Sequence, residues 1–271
     1  MVLSSNLIPV ALTIAGSDSG GGAGIQADLR TFAFHKVHGT SAITCVTAQN
    51  TLGVTRVDAL PVESVIAQIQ AVVSDIGVQA TKTGMLLNQA IIAAVAQQAQ
   101  ELSLGQLVVD PVMVSRTGAQ LIDDEAIATL RDSLLPLATL VTPNRYEAQI
   151  LSGIDIVTLD DMKTAAKAIH QLGAKAVIVK GGGMTGSLRG VDVFFDGDRC
   201  EILQNSTVDT NDTHGTGCTL AAAIAANLAQ GKPLFDAVRQ GKTYVTNALQ
   251  HALRIGQGQG PVGHFYPLLE R

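Results

Sequence analysis

Short apolar runs alternate with longer amphipathic patterns along most of this chain. Apolar runs that end in glycine or a polar residue predict buried strands. These runs cover residues 9–15, 42–48, 78–83, 106–109, 138–142 and 176–179. Apolar positions at helical spacing predict helices over residues 25–36, 62–76, 88–101, 123–135, 160–172, from 217 onward, and 233–254.

Strands that alternate with helices are typical of a parallel sheet with right-handed crossovers. Residues 191–195 and 200–203 flank a turn at Gly197 and predict a hairpin. Residues 52–59 fit either a short strand or a flap. No linker, repeat or low-complexity segment interrupts the pattern. The sequence therefore predicts one α/β domain over residues 1–271, with a mostly parallel central sheet covered by helices on both faces.

Composition excludes several classes of protein. The 271 residues are 46% hydrophobic and 15% charged, which favours a large core over disorder. A net charge of -5 and only 3% aromatic residues argue against nucleic-acid binding. No apolar run approaches the length of a membrane span. Three scattered cysteines and no basic leader before residue 15 lead us to expect reduced thiols and a cytoplasmic location.

Candidate chemistry is concentrated where the predicted strands end. Ligands of open α/β sheets bind at the carboxyl edge of the strands, so these positions predict a ligand crevice. The positions are Gly16, Gln49, Gly84, Asp110, Asn144, Lys180 and the loop 215–218.

Residues 211–218 form a loop with Gly215 and Gly217 that opens a helix of small apolar residues. Backbone N–H groups at the start of a helix have no partner, and the helix dipole makes that end positive. Glycines let an anion approach those groups, and such a site can stabilise charge on a transferring phosphoryl group. By itself the motif fits an anion site and a plain helix start equally well.

A second glycine-rich loop, residues 16–24, follows the first predicted strand. Its glycine density resembles a dinucleotide fingerprint, but the acidic residue that would bind a ribose is absent. A nicotinamide dehydrogenase is therefore a distant alternative. The other interpretation is that a small substrate packs against this loop, with Asp28 reaching in from the following helix.

The carboxylates of Asp110 and Glu147, together with Asn144, suit Mg²⁺ and its waters. The spacing of Asn144 and Glu147 fits a helix capping pair equally well, and both interpretations remain open. Lys180 can contact nucleotide phosphates, although a lysine after a strand is often only solvated.

Six motifs together resemble the hydroxymethylpyrimidine/phosphomethylpyrimidine kinases of thiamine biosynthesis, in the ribokinase-like superfamily. The resemblance covers nearly the whole chain, and the last motif, which contains Cys218, is the most specific. Much of the superfamily has aspartate at that position, so the cysteine indicates the pyrimidine branch. The motifs are residues 15–28, 48–51, 110–113, 142–147, 179–182 and 212–218.

The resemblance implies an ATP- and Mg²⁺-dependent kinase, and a homodimer. It would phosphorylate 4-amino-5-hydroxymethyl-2-methylpyrimidine and then the resulting monophosphate. Gly215, Gly217 and Cys218 would form the catalytic anion hole, and Asp110 and Glu147 would hold the metal. The implied substrate residues are Gly16, Asp28, Thr47, Gln49 and Met85, and the implied nucleotide residues are Asn144, Lys180 and Thr216.

Two of these roles also follow from chemistry. A carboxamide such as that of Gln49 can pair with the amino group and ring nitrogen of a 4-aminopyrimidine. A helix N-terminus lowers a thiol pKa, so we expect Cys218 to have a pKa closer to neutral and to act as the general base. Cys45 and Cys200 are interpreted as packing residues, and His214 as a structural loop histidine.

Several alternatives remain open. Arg116, in the loop 112–118, is a weak candidate for contacting the phosphate of the monophosphate. A pyridoxal kinase would use the same fold and the same anion hole. A non-catalytic ligand sensor would keep the fold without turnover.

Overall fold

The computed structural model describes residues 8–113 and 121–269 of the chain. Within these residues, nine strands form one sheet in the order β3-β2-β1-β4-β5-β6-β7-β8-β9. The strands are β1 (Val10–Asp18), β2 (His38–Gln49), β3 (Val54–Ala59), β4 (Ala80–Thr83), β5 (Gln106–Val109), β6 (Leu140–Val141), β7 (Val177–Val179), β8 (Asp192–Phe195) and β9 (Cys200–Leu203). Arg116 lies outside the described residues.

The helices follow the predicted order. They are α1 (Gly24–Phe34), α2 (Val62–Asp75), α3 (Gln89–Glu101), α4 (Asp124–Thr129), α5 (Arg145–Ser152), α6 (Leu159–His170), α7 (Thr216–Ala229) and α8 (Leu234–Gln250). The predicted helix over 123–135 is irregular, because α4 passes into a π-helical turn at Leu130–Leu134 and a short 3₁₀ turn that contains Pro136. Proline has no N–H to continue the helical hydrogen bonding.

The described sheet is mostly parallel, as predicted. Strands β2, β1, β4, β5, β6 and β7 run parallel, and β3, β8 and β9 are antiparallel at the two edges. The open interpretation of residues 52–59 is resolved in favour of a strand, because β3 pairs with the end of β2. The predicted hairpin is β8 and β9.

Helices cover both faces of the sheet. Alternate residues of β1 point to opposite sides: Leu12 and Ile14 join one apolar cluster, and Ala11 joins the other. The first cluster is completed by α2 to α6, and the second by α1, α7 and α8. No described helix is long and apolar enough to cross a membrane.

The strand order changes direction beside β1, where sheets of this kind form a ligand crevice. The chain moves from β1 to β2 on one side of the sheet and later returns to β4 on the other side of β1. In sheets of this kind, ligands bind at the carboxyl ends of the strands where the direction reverses. Gly16 near the end of β1 and Gly84 after β4 lie at this position.

Candidate active site

The first turn of α7 lies against the glycine-rich loop that follows β1. Gly215 caps the helix with φ of 81°, a left-handed conformation that favours glycine. A Cβ atom there would lie 1.8 Å from the carbonyl oxygen of Gly22, so a larger residue would push the two loops apart. Residues 212–218 are only half-buried, which leaves the helix terminus accessible.

Two charged side chains from the strand ends lie at this helix terminus. A Cβ atom on Gly217 would be 3.4 Å from Nζ of Lys180 and 3.8 Å from Oδ2 of Asp110. Lys180 donates a hydrogen bond to Oδ1 of Asp110 at 2.8 Å, and Thr142 donates to the same oxygen at 2.9 Å. Burial opposes ionisation of Asp110, but Lys180 and Lys82 outweigh it and lower the pKa of the carboxyl. The start of α7 therefore lies beside a charged pair, Lys180 and Asp110.

A second ion pair is completely buried behind the same turn. Nζ of Lys82 donates to Oδ2 of Asp28 at 2.8 Å, and neither side chain is exposed. Thr13 donates to the same oxygen at 2.6 Å. The other carboxylate oxygen, Oδ1 of Asp28, is buried without a hydrogen-bond partner among the described residues. Asp28 is therefore beneath the accessible surface, and its predicted contact with substrate stays a prediction.

The thiol of Cys218 belongs to this electrostatic cluster. Burial raises its pKa above the ordinary value, while Lys82 and a hydrogen bond from the backbone of Gly24 act in the opposite direction. The expected shift of the Cys218 pKa towards neutrality is therefore wrong. That expectation considered only the helix terminus, and removal of water from the thiolate has the larger effect. The assignment of Cys218 as the base stays a prediction.

Asn144 and Glu147 form the capping pair that their spacing left open. Oδ1 of Asn144 accepts from the backbone of Glu147 at 3.0 Å, and Oε2 of Glu147 accepts from the backbone of Asn144 at 2.7 Å. These bonds stabilise the start of α5. They also place Glu147 at the strand edge, because the backbone of Asn144 bridges to Lys180.

The two candidate metal ligands suit Mg²⁺. Burial raises the pKa of Glu147 to about 8, with Lys180 opposing this rise and Asp110 adding to it. A nearby divalent cation would offset the repulsion between the two carboxylates. Within residues 8–113 and 121–269, no group of three or more His, Cys, Asp or Glu side chains could enclose a metal. Two carboxylates with water and phosphate oxygens are a usual arrangement for Mg²⁺.

The structure brings Gly16 and Met85, two of the predicted substrate residues, together with Cys45. A Cβ atom on Gly16 would be 2.7 Å from Sγ of Cys45 and 3.1 Å from Cε of Met85, so glycine makes room for both side chains. Gly16 and Cys45 are buried, and Met85 is half-buried. The packing interpretation of Cys45 agrees with this burial, but that of Cys200 is wrong, because Cys200 is exposed on β9.

Gln49 and Thr47 lie at the end of β2. The hydroxyl of Thr47 contacts Oε1 of Gln49 at 3.2 Å and the carbonyl of Ser17 at 3.0 Å. The carboxamide of Gln49 is half-buried and also reaches the ring of His214, at 3.3 Å. Thr216 is the first residue of α7, and its hydroxyl donates to the carbonyl of Thr213 at 2.7 Å.

Sequence reasoning missed two charged residues near this site: Lys82, which pairs with Asp28, and Asp18, whose Oδ2 lies 2.9 Å from Nε2 of His214. A lysine within a buried strand is a signal, because lysine is almost never fully buried unless it is paired. The signal for Asp18 is weaker, since an aspartate among glycines usually only shapes a turn. Both residues pair with partners that are distant in sequence. Local spacing along the chain does not predict such pairs.

A buried histidine, His264, contacts the first turns of α7 through the hydroxyl of Thr219. The hydroxyl of Thr219 donates to the carbonyl of Gly215 at 2.8 Å, so Nε2 of His264 donates to that hydroxyl at 2.9 Å. Burial and the charge of Arg30 lower the pKa of His264 from 6.5 to about 4. The neutral ring is therefore the form that the fold accommodates.

We expect His264 to make the protein less stable in acid. The unfolded chain takes up a proton near pH 6.5, and the folded chain only near pH 4. Stability is therefore lost as the pH falls through this interval, by up to roughly 3 kcal/mol. Urea unfolding between pH 8 and pH 5 measures the slope, and His264→Gln should flatten it. An equally steep slope in the variant would contradict this origin.

The fold and this site define the chain as a ribokinase-like kinase, and comparison with known proteins identifies its family. The family described as phosphomethylpyrimidine kinase matches residues 18–263. The chain belongs to this family. A hydroxymethylpyrimidine/phosphomethylpyrimidine kinase from Synechococcus elongatus is 63% identical over 261 residues, which cover 96% of this chain and 99% of that protein.

Solved structures agree with this assignment. A Bacillus subtilis pyridoxal kinase in complex with ADP has a TM-score of 0.91 and 41% identity, and the match covers 97% of this chain and 99% of that one. A phosphomethylpyrimidine kinase from Clostridium difficile has a TM-score of 0.80 and 42% identity, with coverage of 89% and 99%. The predicted fold and the predicted family are confirmed.

Proposed function

We propose that the protein transfers the γ-phosphoryl group of ATP to the hydroxymethyl group of 4-amino-5-hydroxymethyl-2-methylpyrimidine, and then phosphorylates the monophosphate to the diphosphate. It does so as one domain over residues 1–271. The observation that carries the proposal is the accessible first turn of α7, with Lys180 and Asp110 beside Gly217 and with Cys218 in the same turn.

The reacting groups have defined roles in this proposal. The alcohol oxygen attacks the γ-phosphorus, its proton passes to the sulfur of Cys218, and the bond from the phosphorus to ADP breaks. The N–H groups of Gly215 and Gly217 at the start of α7 and the ammonium of Lys180 stabilise the charge on the phosphoryl oxygens.

Nucleotide binding is assigned to three residues at the strand edge. Lys180 is 12% exposed and directs its ammonium towards the start of α7, where a γ-phosphate would lie. Asn144 adjoins Lys180 through a backbone bridge, and Thr216 is the first residue of α7, one position before Gly217. ATP use agrees with the ADP complex of the Bacillus subtilis pyridoxal kinase.

Mg²⁺ is assigned to Asp110 and Glu147. When bound, the ion would neutralise phosphate charge during transfer. Lys180 then holds Asp110 in place from one side, and the capping bonds of Asn144 hold Glu147.

We expect removal of Mg²⁺ with a chelator to abolish turnover, and Glu147→Gln to raise the Mg²⁺ concentration needed for half-maximal rate. The amide keeps the size of the side chain but removes one negative charge near the ion. Titration of activity with MgCl₂ measures the shift. Asp161→Asn is a matched control, since Asp161 is a capping acid at the start of α6. An unchanged Mg²⁺ dependence in Glu147→Gln would remove Glu147 from the metal site.

Gln49 is assigned to recognition of the aminopyrimidine. We expect Gln49→Leu to lower kcat/KM for the pyrimidine alcohol by about 5- to 150-fold, the loss of a paired carboxamide contact worth roughly 1–3 kcal/mol. The KM for ATP should not change, since the carboxamide lies on the substrate side of the crevice. A variant with unchanged kcat/KM would show that another group reads the ring.

A pyridoxal kinase is the second candidate, because the Bacillus subtilis neighbour at 41% identity carries that name. The test is a coupled assay for ADP release with the pyrimidine alcohol, its monophosphate and pyridoxal in parallel. We expect the two pyrimidines to have the highest kcat/KM. A preference for pyridoxal would support the alternative, and no ADP release with any of them would indicate a ligand sensor.

A homodimer in the cytoplasm completes the proposal. Four apolar side chains are exposed on the β2–β3 ribbon or the turn between its strands: Val46, Leu52, Val54 and Val57. Exposed apolar groups clustered on one ribbon are typical of a surface that binds another chain. Light scattering on the eluted protein should give twice the chain mass of 28.1 kDa, and a value for one chain would rule out a stable dimer.

A further inference from the structure

Three segments that are far apart in sequence meet at the side chain of Gln49. The ring of His214 comes from the loop before α7, and Asp18 comes from the end of β1. Nε2 of His214 lies 2.9 Å from Oδ2 of Asp18 and 3.3 Å from Nε2 of Gln49. The residue assigned to reading the substrate is thus in contact with the loop assigned to binding phosphate.

We propose that His214, oriented by Asp18, is a positioning residue that fixes the carboxamide of Gln49 and thereby sets the preference for an aminopyrimidine over pyridoxal. The proposal rests on the proposed function, because it deepens the role assigned to Gln49. His214 does not need to touch the substrate for this role.

Asp18 is a fixed negative group. Its side chain is 3% exposed, and its two oxygens accept backbone hydrogen bonds from Gly20, Gly22 and Ala23 at 2.8–3.0 Å. Burial opposes its ionisation, but the bonds from His214 and from the loop prevail and lower its pKa. An ionised carboxylate can only accept, so Nε2 of His214 carries the proton between them.

The proton on Nε2 determines which end of the Gln49 carboxamide faces the ring. An N–H group cannot accept from the amide nitrogen, so the carbonyl oxygen of Gln49 should face His214. The oxygen and nitrogen of a carboxamide are assigned from such networks. The amide nitrogen then donates to the hydroxyl of Thr47, which itself donates to the carbonyl of Ser17. In that orientation the amide nitrogen has an acceptor, and the carbonyl oxygen of Gln49 shares the single Nε2 proton with Oδ2 of Asp18, which lies closer to it.

The backbone around Gln49 is held as firmly as its side chain. The hydroxyl of Ser19 donates to the carbonyl of Gln49 at 2.8 Å and accepts from its N–H at 2.8 Å. A Cβ atom on Gly22 would lie 2.2 Å from Cδ2 of His214, so glycine at this position lets the ring approach the loop. Because backbone and ring are both constrained, the carboxamide has one preferred orientation.

A fixed orientation matters for one substrate class more than for the other. A 4-aminopyrimidine offers a donor beside an acceptor and needs both ends of the carboxamide in the correct order. Pyridoxal lacks an amino group beside a ring nitrogen. Loss of the His214 ring should therefore weaken binding of the pyrimidine alcohol more than binding of pyridoxal.

The test replaces His214 by phenylalanine, which keeps a ring against Gly22 but removes the nitrogen. In full-length protein, we expect the KM for the pyrimidine alcohol to rise about tenfold, while kcat changes less. The ratio of kcat/KM between the pyrimidine and pyridoxal should fall by a similar factor. His214→Gln places an amide donor near the position of Nε2 and should restore most of the ratio. His170→Phe, on α6, is the matched control.

A double-mutant cycle separates positioning from a general structural effect. In a Gln49→Leu background, His214→Phe should have no further effect on the KM for the pyrimidine. Equal losses for both substrates, or an unchanged ratio, would overturn the proposal. If His214→Phe fails to fold, His214→Leu takes its place with the same expected ratio. Wild-type protein that does not phosphorylate the pyrimidine would instead reject the proposed function.

Discussion

Replacing Cys218 by alanine is expected to lower kcat by about 10²–10⁴-fold while the KM of the pyrimidine alcohol stays nearly unchanged. In the proposed mechanism the sulfur accepts the proton of the alcohol only as the transition state forms, so its removal should lower the rate without weakening ground-state binding. The N–H groups of α7 and the ammonium of Lys180 remain, and they account for the residual rate. Steady-state kinetics with both substrates measures the two constants.

The pH dependence gives an independent check on this role. Since burial raises the pKa of Cys218, the thiolate fraction of the wild-type protein grows as the pH rises, and kcat should rise with it above pH 8. Cys218→Ala should lose this rise. Cys200→Ala is the control, because Cys200 is exposed on β9. A near-wild-type kcat in Cys218→Ala would refute the assignment of the base.

Lys82→Met is expected to destabilise the fold by about 3–5 kcal/mol. The change removes the ammonium that neutralises Asp28 and leaves a carboxylate in a site without solvent access. Among the described residues, the hydroxyl of Thr13 alone would still donate to it. Urea unfolding followed by circular dichroism measures the loss, at a pH where the wild-type protein is most stable.

Two comparisons establish that the buried charge causes this loss. Replacing both partners, Lys82→Met with Asp28→Leu, should recover most of the stability, because no unpaired charge remains. Arg56→Ala breaks an ion pair on the surface of β3 and should have no measurable effect, since both of its side chains are exposed. A Lys82→Met protein as stable as the wild type would contradict the proposed cost of unpairing Asp28.

The positions of β5, β6 and β7 were predictable because each is a short, mostly apolar run followed by a polar residue. Local pattern was sufficient for β5 and for the β8–β9 hairpin, whose bounds agree closely with the prediction. It was less accurate for β2, which begins at His38, several residues before the predicted 42. The extra residues pair with β1, and such pairing depends on a neighbour that the local pattern does not contain.

The Asn144–Glu147 capping pair and the pKa of Cys218 could not be predicted from local sequence alone. The spacing of Asn144 and Glu147 was compatible with a metal site and with a capping pair, and the structure contains the capping pair at the edge of the site. For Cys218, the helix terminus predicted a lowered pKa, but the depth of the thiol decides the direction. Burial depends on everything packed around a group, and no local pattern records it.

The amino-acid sequence by itself determined the alternation of strands and helices, the glycines of both loops and the family, because these depend on residue type and on spacing along the chain. Tertiary structure alone decided that Lys82 neutralises Asp28 and that His214 joins Asp18 to Gln49. Those partners lie 54, 196 and 165 positions apart. Contacts at such separations exist only once the sheet has brought the ends of its strands to one edge.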